Sequence, residues 1–458
     1  MTREANSQNF TTLHSFSTNE GSQPLMGLTS VSNVLYGTTP TGGAFQSGAV
    51  FSMHTDGTSF KVLHSFTATQ TNLSGIATNS DGQQPQAEVT VWNGTIYGTT
   101  LRGGTLGSGV LFGAPTDGSG FTNLYNFDSG SANLHGKLAI NQNVFYGTSD
   151  VGGTAGKGSV FQINPDGTGF SNVVSLTNIS AEGSQPMGDL IAGGNQLYGT
   201  ARVGGQAGNG TVFRETVDGS EFGMLHSFGV SGPNSNGYLT NSDGVFPNPG
   251  LVLIGNKLYG TTRLGGTSTG GTVFSVGTDG TDFTILHMFT GSNEGSSPYS
   301  GLILRGQTLY GTTAQGGTDN SGTLFGLNID GTGFTNLYIF PGALGGAGTN
   351  LNGSYPEGIL CCSGDTLYGT TMHGGTNGQG VIFSYTLPPL PPLTLSILSS
   401  GANVTLTPNP ESIGALLEST TNLSTSPQWT VIATNTGQFP LTLSIVPPSS
   451  TFFRLRSQ

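Results

Sequence analysis

Residues 34–66 read VLYGTTPTGGAFQSGAVFSMHTDGTSFKVLHSF, and close variants of this stretch recur along the chain. Its Tyr-Gly-Thr-Thr element, or a one-residue variant of it, occurs seven times at intervals of 49 to 61 residues. The tyrosines are Tyr36, Tyr97, Tyr146, Tyr198, Tyr259, Tyr310 and Tyr368. Such a period indicates a supersecondary unit that buries its apolar face only by stacking on copies of itself.

Each repeat predicts four short strands, marked by a proline, by Leu-Tyr-Gly-Thr-Thr, by Val-Phe and by Leu-His-Ser-Phe. An Asp-Gly turn separates the third and fourth strands in six repeats, at Asp56, Asp117, Asp166, Asp218, Asp279 and Asp330. Asp-Gly between apolar runs is a strong hairpin signal, and we expect positive φ at both central residues. The periodic placement of the 77 glycines argues against disorder, so the chain is predicted to be all-β.

The two ends of the repeat array do not match. The last repeat runs from Ile382 and Phe383 into prolines without a fourth strand, whereas residues 10–16 form a fourth strand without the first three. Both anomalies disappear if the N-terminal strand completes the last repeat. We therefore predict a seven-bladed β-propeller over residues 1–387, closed by the N-terminal strand.

The C-terminal part lacks the repeat. Residues 388–393 are predicted to be a proline-rich linker, and residues 394–458 a small β-sandwich-like module without chemistry of its own. A module of this length is near the lower size limit for an independent core.

The repeat pattern LYGTT-xx-GG-xxxx-G-x-VF-xxxx-DGT-x-F-xx-LHSF resembles the GloVer (Gloeo/Verruco) tandem repeat of exported bacterial proteins, over about residues 9–387. The C-terminal segment is similar to modules appended to secreted proteins of such bacteria. The resemblance implies a secreted or cell-surface location and no established activity. Because MTREANSQNF lacks the apolar core of a signal peptide, we expect any export signal to have been removed.

Composition excludes several classes of partner. A net charge of −12 with only twelve Lys and Arg argues against nucleic acid, because phosphate binding needs clustered cations. No stretch approaches the ~20 apolar residues of a membrane span.

Cys361 and Cys362 are adjacent in a predicted strand and point to opposite faces, so we interpret them as packing residues. We expect a monomer.

Propeller topology places the loops between strands two and three, and the links between blades, on one face. The links are long at 67–85, 229–247 and 341–356 and shorter elsewhere, whereas the Asp-Gly turns on the opposite face are uniform. Functional residues tend to lie on loops held by a rigid scaffold, so this variable face is the predicted binding face.

Cationic residues concentrate in the loop after strand two, in the pattern T-T/A-x-x-G-G: Arg102, Arg202, Arg263 and His373. One hypothesis is a site for an anionic group such as a uronate, because guanidinium groups bind carboxylates bidentately. The alternative is that each arginine pairs with an acid of a neighbouring blade. Asp150 and Glu357 depart from the repeat and are the acids to consider on this face.

A second pattern, D/E-G-x-x-P, recurs in the links at Glu20, Asp81, Glu182, Asp243 and Glu294. Turn or salt-bridge roles are favoured, and a ring of carboxylates that holds Ca²⁺ is the weaker alternative. No cofactor is otherwise expected. The repeated tyrosines and the fourth-strand histidines are interpreted as structural.

These observations predict an exported propeller that binds a glycan, a surface or a protein partner through its variable face. The sequence contains no HExxH, GxSxG or CxxC motif. A glycoside hydrolase or polysaccharide lyase is the first alternative, because two acids from distant loops leave no local motif. A structural spacer is the second.

Overall fold

The computed structural model describes residues 9–177, 179–233, 239–342 and 349–391, and the backbone of six C-terminal strands. The described residues form seven antiparallel sheets of at least four strands, arranged as the blades of a propeller. In every blade the inner strand, which borders the central channel, has three residues. In blades 1 to 6 the four strands from the channel outward follow each other in sequence as a simple meander, and only blade 7 takes its outer strand from elsewhere in the chain.

The strands are given from the channel outward. Blades 1 to 3 comprise Thr29–Val31, Val34–Thr39, Ala49–His54 and Lys61–Ser65; Thr90–Trp92, Thr95–Thr99, Val110–Pro115 and Thr122–Asn126; and Ala139–Asn141, Val144–Ser149, Ser159–Ile163 and Ser171–Ser175. Blades 4 to 6 comprise Ile191–Gly193, Gln196–Ala201, Thr211–Thr216 and Phe222–Ser227; Val252–Ile254, Lys257–Leu264, Thr272–Gly277 and Thr284–Met288; and Ile303–Arg305, Thr308–Thr313, Thr323–Asn328 and Thr335–Ile339. Blade 7 comprises Cys361–Ser363, Thr366–Thr371, Val381–Thr386 and Phe10–Ser15.

The outer strand of blade 7 comes from the N-terminus, which confirms the predicted closure. Phe10 lies opposite Tyr385 and Ser15 opposite Val381. The backbone N–H of Phe16 donates to the carbonyl oxygen of Gly380 at 3.1 Å. The ring is thus closed by antiparallel pairing between the two ends of the repeat array, which leaves no open blade edge at this position.

Shorter elements lie in the links and loops. Two-stranded pairs join Gln70–Thr71 to Ala77–Thr78, Ser131–Ala132 to Val151–Gly152, Gly232–Pro233 to Leu239–Thr240, and Asn350–Ser354 to His373–Gly375. Val245–Pro247 pairs with the second strand of blade 5, and Ile179–Glu182 is a single helical turn. In the C-terminal segment Leu395–Ser400, Asn403–Pro408 and Leu441–Ser444 form one sheet, and Leu416–Thr420, Thr430–Thr434 and Phe452–Arg456 another.

The Tyr-Gly step and the Val-Phe strand form one packing unit inside each blade. A Cβ added to Gly98 would stand 2.5 Å from Cζ of Phe112, and the corresponding glycine faces the corresponding phenylalanine ring in all seven blades. These phenylalanine side chains are fully buried. Glycine is required after the tyrosine because the ring occupies the space of a side chain.

Neighbouring blades meet at the glycine before the third strand. A Cβ at Gly158 would lie 2.5 Å from Cδ of Pro186, which begins the inner segment of the next blade. The first threonine of the Tyr-Gly-Thr-Thr element also reaches across, since Thr148 Oγ1 donates to the carbonyl oxygen of Gly188 at 2.9 Å. These repeated contacts explain why Gly, Thr and Pro recur at fixed offsets.

The Asp-Gly turns differ from the prediction in one respect. Glycine has positive φ, for example 84° at Gly57, but Asp56 does not have positive φ. Instead Asp56 Oδ1 accepts hydrogen bonds from the backbone N–H of Thr58 at 2.9 Å and from its hydroxyl at 2.7 Å. The turn is therefore a longer hairpin loop, in which the aspartate side chain organises the backbone and only glycine adopts the left-handed conformation.

The recurring acids and the fourth-strand histidines pair with each other. His64 Nε2 lies 2.9 Å from Asp81 Oδ2, which also accepts a hydrogen bond from the N–H of Thr67 at 3.1 Å. His226 and Asp243 are joined in the same way at 3.2 Å, whereas His14 and Glu20 at 3.5 Å, and His287 and Glu294 at 3.8 Å, are close without a hydrogen bond. Each of these four carboxylates thus lies beside the histidine that precedes its own link.

Each of these histidines also stacks on the next blade. The ring of His226 lies parallel to that of Phe283, with centroids 3.5 Å apart. Phe283 follows the Asp-Gly turn of the neighbouring blade, as do the partners of His14, His64 and His287. The histidines therefore have the structural role that the repeat predicts.

Candidate functional site

The inner segments of the blades converge at the channel entrance on the variable face. The residue before each segment is left-handed in all seven blades, with φ between 52° and 59° at Gln23, Gln84, Asn133, Gln185, Phe246, Ser297 and Tyr355. A proline follows in six blades and Leu134 in the seventh. Positive φ at non-glycine residues is uncommon and costs energy, so this repeated bend shows that the chain is turned sharply into the channel.

Two rings of side chains follow from this bend. The residues one position after the proline or Leu134 form the entry ring, namely Leu25, Gln86, His135, Met187, Asn248, Tyr299 and Glu357. The residues two positions further form the floor ring, namely Gly27, Glu88, Lys137, Asp189, Gly250, Gly301 and Ile359. Because side chains alternate along extended backbone, both rings face the channel axis.

The entry ring surrounds a cavity of ≈ 220 Å³. Every member of the entry ring lines it, together with Arg202 of blade 4 and Arg263 and Phe246 of blade 5. Leu25, Met26 and Ile359 form an apolar wall on the opposite side, while Glu88 and Asp189 lie at the base. The cavity thus has a cationic side, an apolar side and an acidic floor.

Arg202 and Arg263 are held by apolar contacts. The guanidinium of Arg263 lies over the ring of Tyr299, 4.4 Å from its centroid, and that of Arg202 lies 5.4 Å from the centroid of Phe246. Arg202 Nη1 also lies 3.6 Å from Sδ of Met187. Among the described residues, no carboxylate lies within ion-pair distance of either arginine. Both guanidinium groups therefore keep donors for a ligand.

Arg102 and His373 do not share this position. Arg202, Arg263 and Asp150 are the first residue after the second strand's Thr-Thr element or its variants, whereas Arg102 and His373 are the second. Side chains one residue apart on extended backbone point to opposite sides. Arg102 is exposed, its backbone pairs with Gln83, and neither it nor His373 is among the described residues that line the cavity. The interpretation of the three arginines as one loop position is wrong.

The predicted alternative, pairing of the arginines with the recurring acids, is also wrong among the described residues. Glu20, Asp81, Asp243 and Glu294 pair with histidines. Glu182 accepts a hydrogen bond from the backbone N–H of Thr177 at 2.6 Å.

Asp150 lies behind the cavity wall. Its Oδ2 is 3.8 Å from Nε2 of His135, which lines the cavity. Burial and, secondarily, the nearby charge of Arg202 together lower the pKa of His135 to about 4. Burial also raises the pKa of Asp150 to about 6. His135 is consequently neutral at neutral pH, and Asp150 lies near its ring without a hydrogen bond to it.

Burial raises the pKa values of two other acids of the cavity, Glu357 and Asp189. Burial raises the pKa of Glu357, although Arg263 opposes the shift. At the floor, burial and the charge of Glu88 raise the pKa of Asp189 to about 6. Lys137 connects the floor acids, because its ammonium donates to Glu88 Oε1 and its backbone N–H donates to Asp189 Oδ1 at 2.6 Å.

Sequence reasoning selected Arg202, Arg263 and Glu357 for this face but missed His135, Tyr299, Glu88 and Asp189. The missed residues follow the proline of each repeat at fixed offsets, in a segment where the seven copies have no common residue. Variation at a fixed position inside otherwise uniform repeats was the signal that pointed to them. Within the described ranges, no three His, Cys, Asp or Glu side chains are grouped to hold a metal ion. The single described helix is too short to cross a membrane.

Fold and cavity together define a seven-bladed propeller with a cavity at one mouth of its channel, where charged groups lie among mainly apolar surface. The chain belongs to the family described as the Gloeobacter/Verrucomicrobia repeat, whose model matches residues 69–247 and 237–406. This result confirms the resemblance found in the repeat pattern.

Solved structures share the fold at low sequence identity. An oligogalacturonate lyase in complex with manganese is 10% identical, covers 83% of this chain and 93% of its own, and gives a TM-score of 0.50. A puromycin-hydrolysing peptidase of Mycobacterium tuberculosis is 11% identical, covers 85% and 60%, and gives a TM-score of 0.46. At such identities the likeness concerns the fold alone. No curated protein matches the sequence.

Proposed function

We propose that this propeller is an exported binding module that takes an acidic sugar in the cavity of its variable face. The observation that carries the proposal is the pair of arginines on one side of the cavity, Arg202 and Arg263, neither of which has a carboxylate partner among the described residues. A charged side chain in a partly buried site is costly unless it is paired. A carboxylate ligand would provide the missing partner.

The rest of the cavity suits a sugar ring. The side chains of Gln86, Asn248 and Glu357 offer acceptors for hydroxyl donors, and Tyr299 and Phe246 offer aromatic surface beside the arginines. Ligand sites commonly combine apolar walls with a few convergent polar groups. Export is part of the proposal because the chain belongs to the Gloeobacter/Verrucomicrobia repeat family, with which an exported protein is consistent.

The test is titration calorimetry with galacturonate and glucuronate oligomers against the neutral galactose and glucose oligomers. We expect binding of the acidic series alone. Arg202→Gln and Arg263→Gln should each weaken binding about tenfold or more, since a charge-assisted hydrogen bond contributes roughly 1.5–3 kcal/mol. Arg102→Gln is the matched control, because Arg102 lies in the equivalent loop but outside the cavity lining. Equal losses in all three variants would contradict the proposal.

A carbohydrate-active enzyme is the second candidate. The observation that favours it is His135, which is neutral at neutral pH, lies 3.8 Å from Asp150 and lines the same cavity as Glu357. A neutral imidazole accepts a proton and a buried carboxylic acid donates one, the two roles of general acid–base catalysis. Mass spectrometry of each bound oligomer after incubation distinguishes the candidates. New products that disappear in His135→Ala would establish turnover. Unchanged oligomers would support the first candidate, a binding module without catalysis.

A further inference from the structure

We propose that the cavity is closed at its base and holds one terminal uronate ring, so that the protein recognises the end of an acidic glycan rather than an internal stretch. This inference rests on the proposed function, because it assumes that an acidic sugar enters the cavity. It adds that the ligand binds by a chain end and that this end is a uronate ring.

The closure is made by the charged residues of the floor ring. Glu88 and Asp189 line this cavity and also a second cavity of ≈ 370 Å³ at the other end of the channel. Lys137 bridges the two acids from the side of the second cavity. Its Nζ also lies 3.3 Å from Thr29 Oγ1 of blade 1, two blades away around the ring. The three charged side chains thus span the channel between the two cavities.

The adjoining backbones approach each other closely at this level, at Gly27 and at Gly301. A Cβ at Gly27 would stand 2.6 Å from Glu88 Oε2 and 2.8 Å from the carbonyl oxygen of Ile359. A Cβ at Gly301 would likewise collide with the carbonyl oxygen of Gly250. The inner strands of neighbouring blades are therefore in close contact here, and a polysaccharide cannot thread the channel without displacing the floor.

The size of the cavity limits what can enter. Its ≈ 220 Å³ lies below the ~300–1,000 Å³ of pockets that enclose drug-sized ligands. A single pyranose ring is the natural occupant. An internal residue of a glycan carries a neighbour at both ends, and the closed floor accommodates a chain in one direction only.

The polar groups distinguish a sugar acid from a simpler anion. Arg202 and Arg263 require an acceptor, whereas Glu357 takes hydroxyl donors and the floor acids already accept hydrogen bonds from Lys137. A sulfate or phosphate ion offers acceptors almost alone and would leave the carboxylates facing a negative charge. A uronate ring offers both kinds of group, with its carboxylate directed to blades 4 and 5 and its hydroxyls to the acids and amides.

The experiment is calorimetry with galacturonate and glucuronate from monomer to hexamer, and with the long polymer. We expect molar affinities within about threefold from dimer to hexamer, and polymer binding that scales with the concentration of chain ends. Two hexamer samples are compared, one chemically reduced at its reducing end and one modified at its non-reducing end. The sample that loses affinity shows which end enters the cavity. A free uronate monomer and the end of a uronate chain present the same ring to the cavity. Comparing their affinities shows which of the two the protein prefers.

The outcomes are distinguishable from failure of the proposed function. Affinity that rises with every added residue, or binding by polymer whose ends are both blocked, would overturn the terminal mode and leave acidic-sugar binding intact. Absence of binding by every uronate would overturn both.

A variant adds an independent check. Leu25→Trp fills the apolar wall of the cavity and should reduce monomer and hexamer affinity alike by tenfold or more. Leu106→Trp, at an exposed loop position, is the matched control. Unchanged melting temperatures show that both variants fold. Retention of full affinity by Leu25→Trp would place the ligand outside the cavity and contradict the inference.

Discussion

The ring of Phe10 lies parallel to that of Tyr338, with centroids 3.8 Å apart and an angle of 7° between the planes. Phe10 begins the N-terminal strand, while Tyr338 belongs to the outer strand of blade 6. The same stacking joins fourth-strand histidines to the phenylalanines of the next blade. The N-terminus therefore supplies both the missing strand of blade 7 and its contact with blade 6.

We predict that Phe10→Ala weakens ring closure. Phe10 is buried against Tyr338, Phe340 and Phe383, so its truncation should lower the free energy of unfolding by about 3–5 kcal/mol. Urea denaturation measures the change. Thr11→Ala is the control, since Thr11 is exposed on the same strand. Equal stabilities of the two variants would contradict a role of Phe10 in closure.

Glu215 predicts a pH-dependent stability. Its side chain is fully buried in the third strand of blade 4, its Oε2 has no hydrogen-bond partner among the described residues, and burial raises its pKa to about 7 from 4.5. The folded state therefore binds a proton that the unfolded state releases between pH 4.5 and 7. Stability should fall by up to about 3 kcal/mol as pH rises through this window and stay low above it.

Glu215→Gln should weaken this dependence, to which Asp150 and Asp189 also contribute through their raised pKa values, and should make the protein more stable than the parent at pH 8. Thermal and urea unfolding at pH 5 and pH 8 measure the effect. Glu221→Gln provides the comparison, because Glu221 lies in the same hairpin but is exposed and paired with Arg214. A parent protein whose stability is constant from pH 5 to 8 would show that Glu215 is ionised in the fold.

The histidine–acid pairs should be energetically coupled. In blade 6, Tyr338 occupies the position that His226 has in blade 4, and Asn352 follows it at the position of Asp243. Tyr338 and Asn352 are joined by a 2.7 Å hydrogen bond. We expect His226→Tyr and Asp243→Asn each to cost about 1 kcal/mol, and the double variant to recover part of the loss. A double-mutant cycle should give a coupling of roughly 0.5–3 kcal/mol. The mismatched combination of His64→Tyr with Asp243→Asn should be additive.

Glycine is predicted to be obligatory after the repeat tyrosine. Gly98→Ala places a methyl group against the buried ring of Phe112 and should destabilise by about 1–3 kcal/mol. Gly120→Ala, where a Cβ would meet nothing within 4 Å, should be nearly neutral. Differential scanning calorimetry of both variants compares them directly. Similar melting temperatures would show that the ring moves aside without cost.

Uronate affinity should increase as the pH falls from 7.5 to 5. The pKa of Asp189 is raised to about 6, so the floor loses a negative charge over this range while the ligand carboxylate stays ionised. The reduced repulsion should strengthen binding about threefold to tenfold. Calorimetry at several pH values checks this. Asp189→Asn should abolish the dependence, and if Asp150→Asn abolishes it instead, the titrating group is the one behind His135.

The repeat determined much of this protein from sequence alone. Seven copies of one motif, with a fourth strand at the wrong end of the chain, required a closed ring of seven blades, because unpaired edges and unburied faces are costly wherever they occur. The structural roles of the histidines followed for the same reason. These predictions depended on local periodicity and on counting, which a sequence displays directly.

The cavity was decided by tertiary structure. Arg202 and Arg102 look equivalent in the sequence, yet an offset of one residue on extended backbone sends their side chains to different sides. His135, Tyr299 and Glu357 lie far apart in the chain and meet only because closure brings seven inner segments to one axis. The repeat thus specifies the scaffold, whereas the chemistry lies at the positions where the copies differ, which acquire neighbours only when the ring closes.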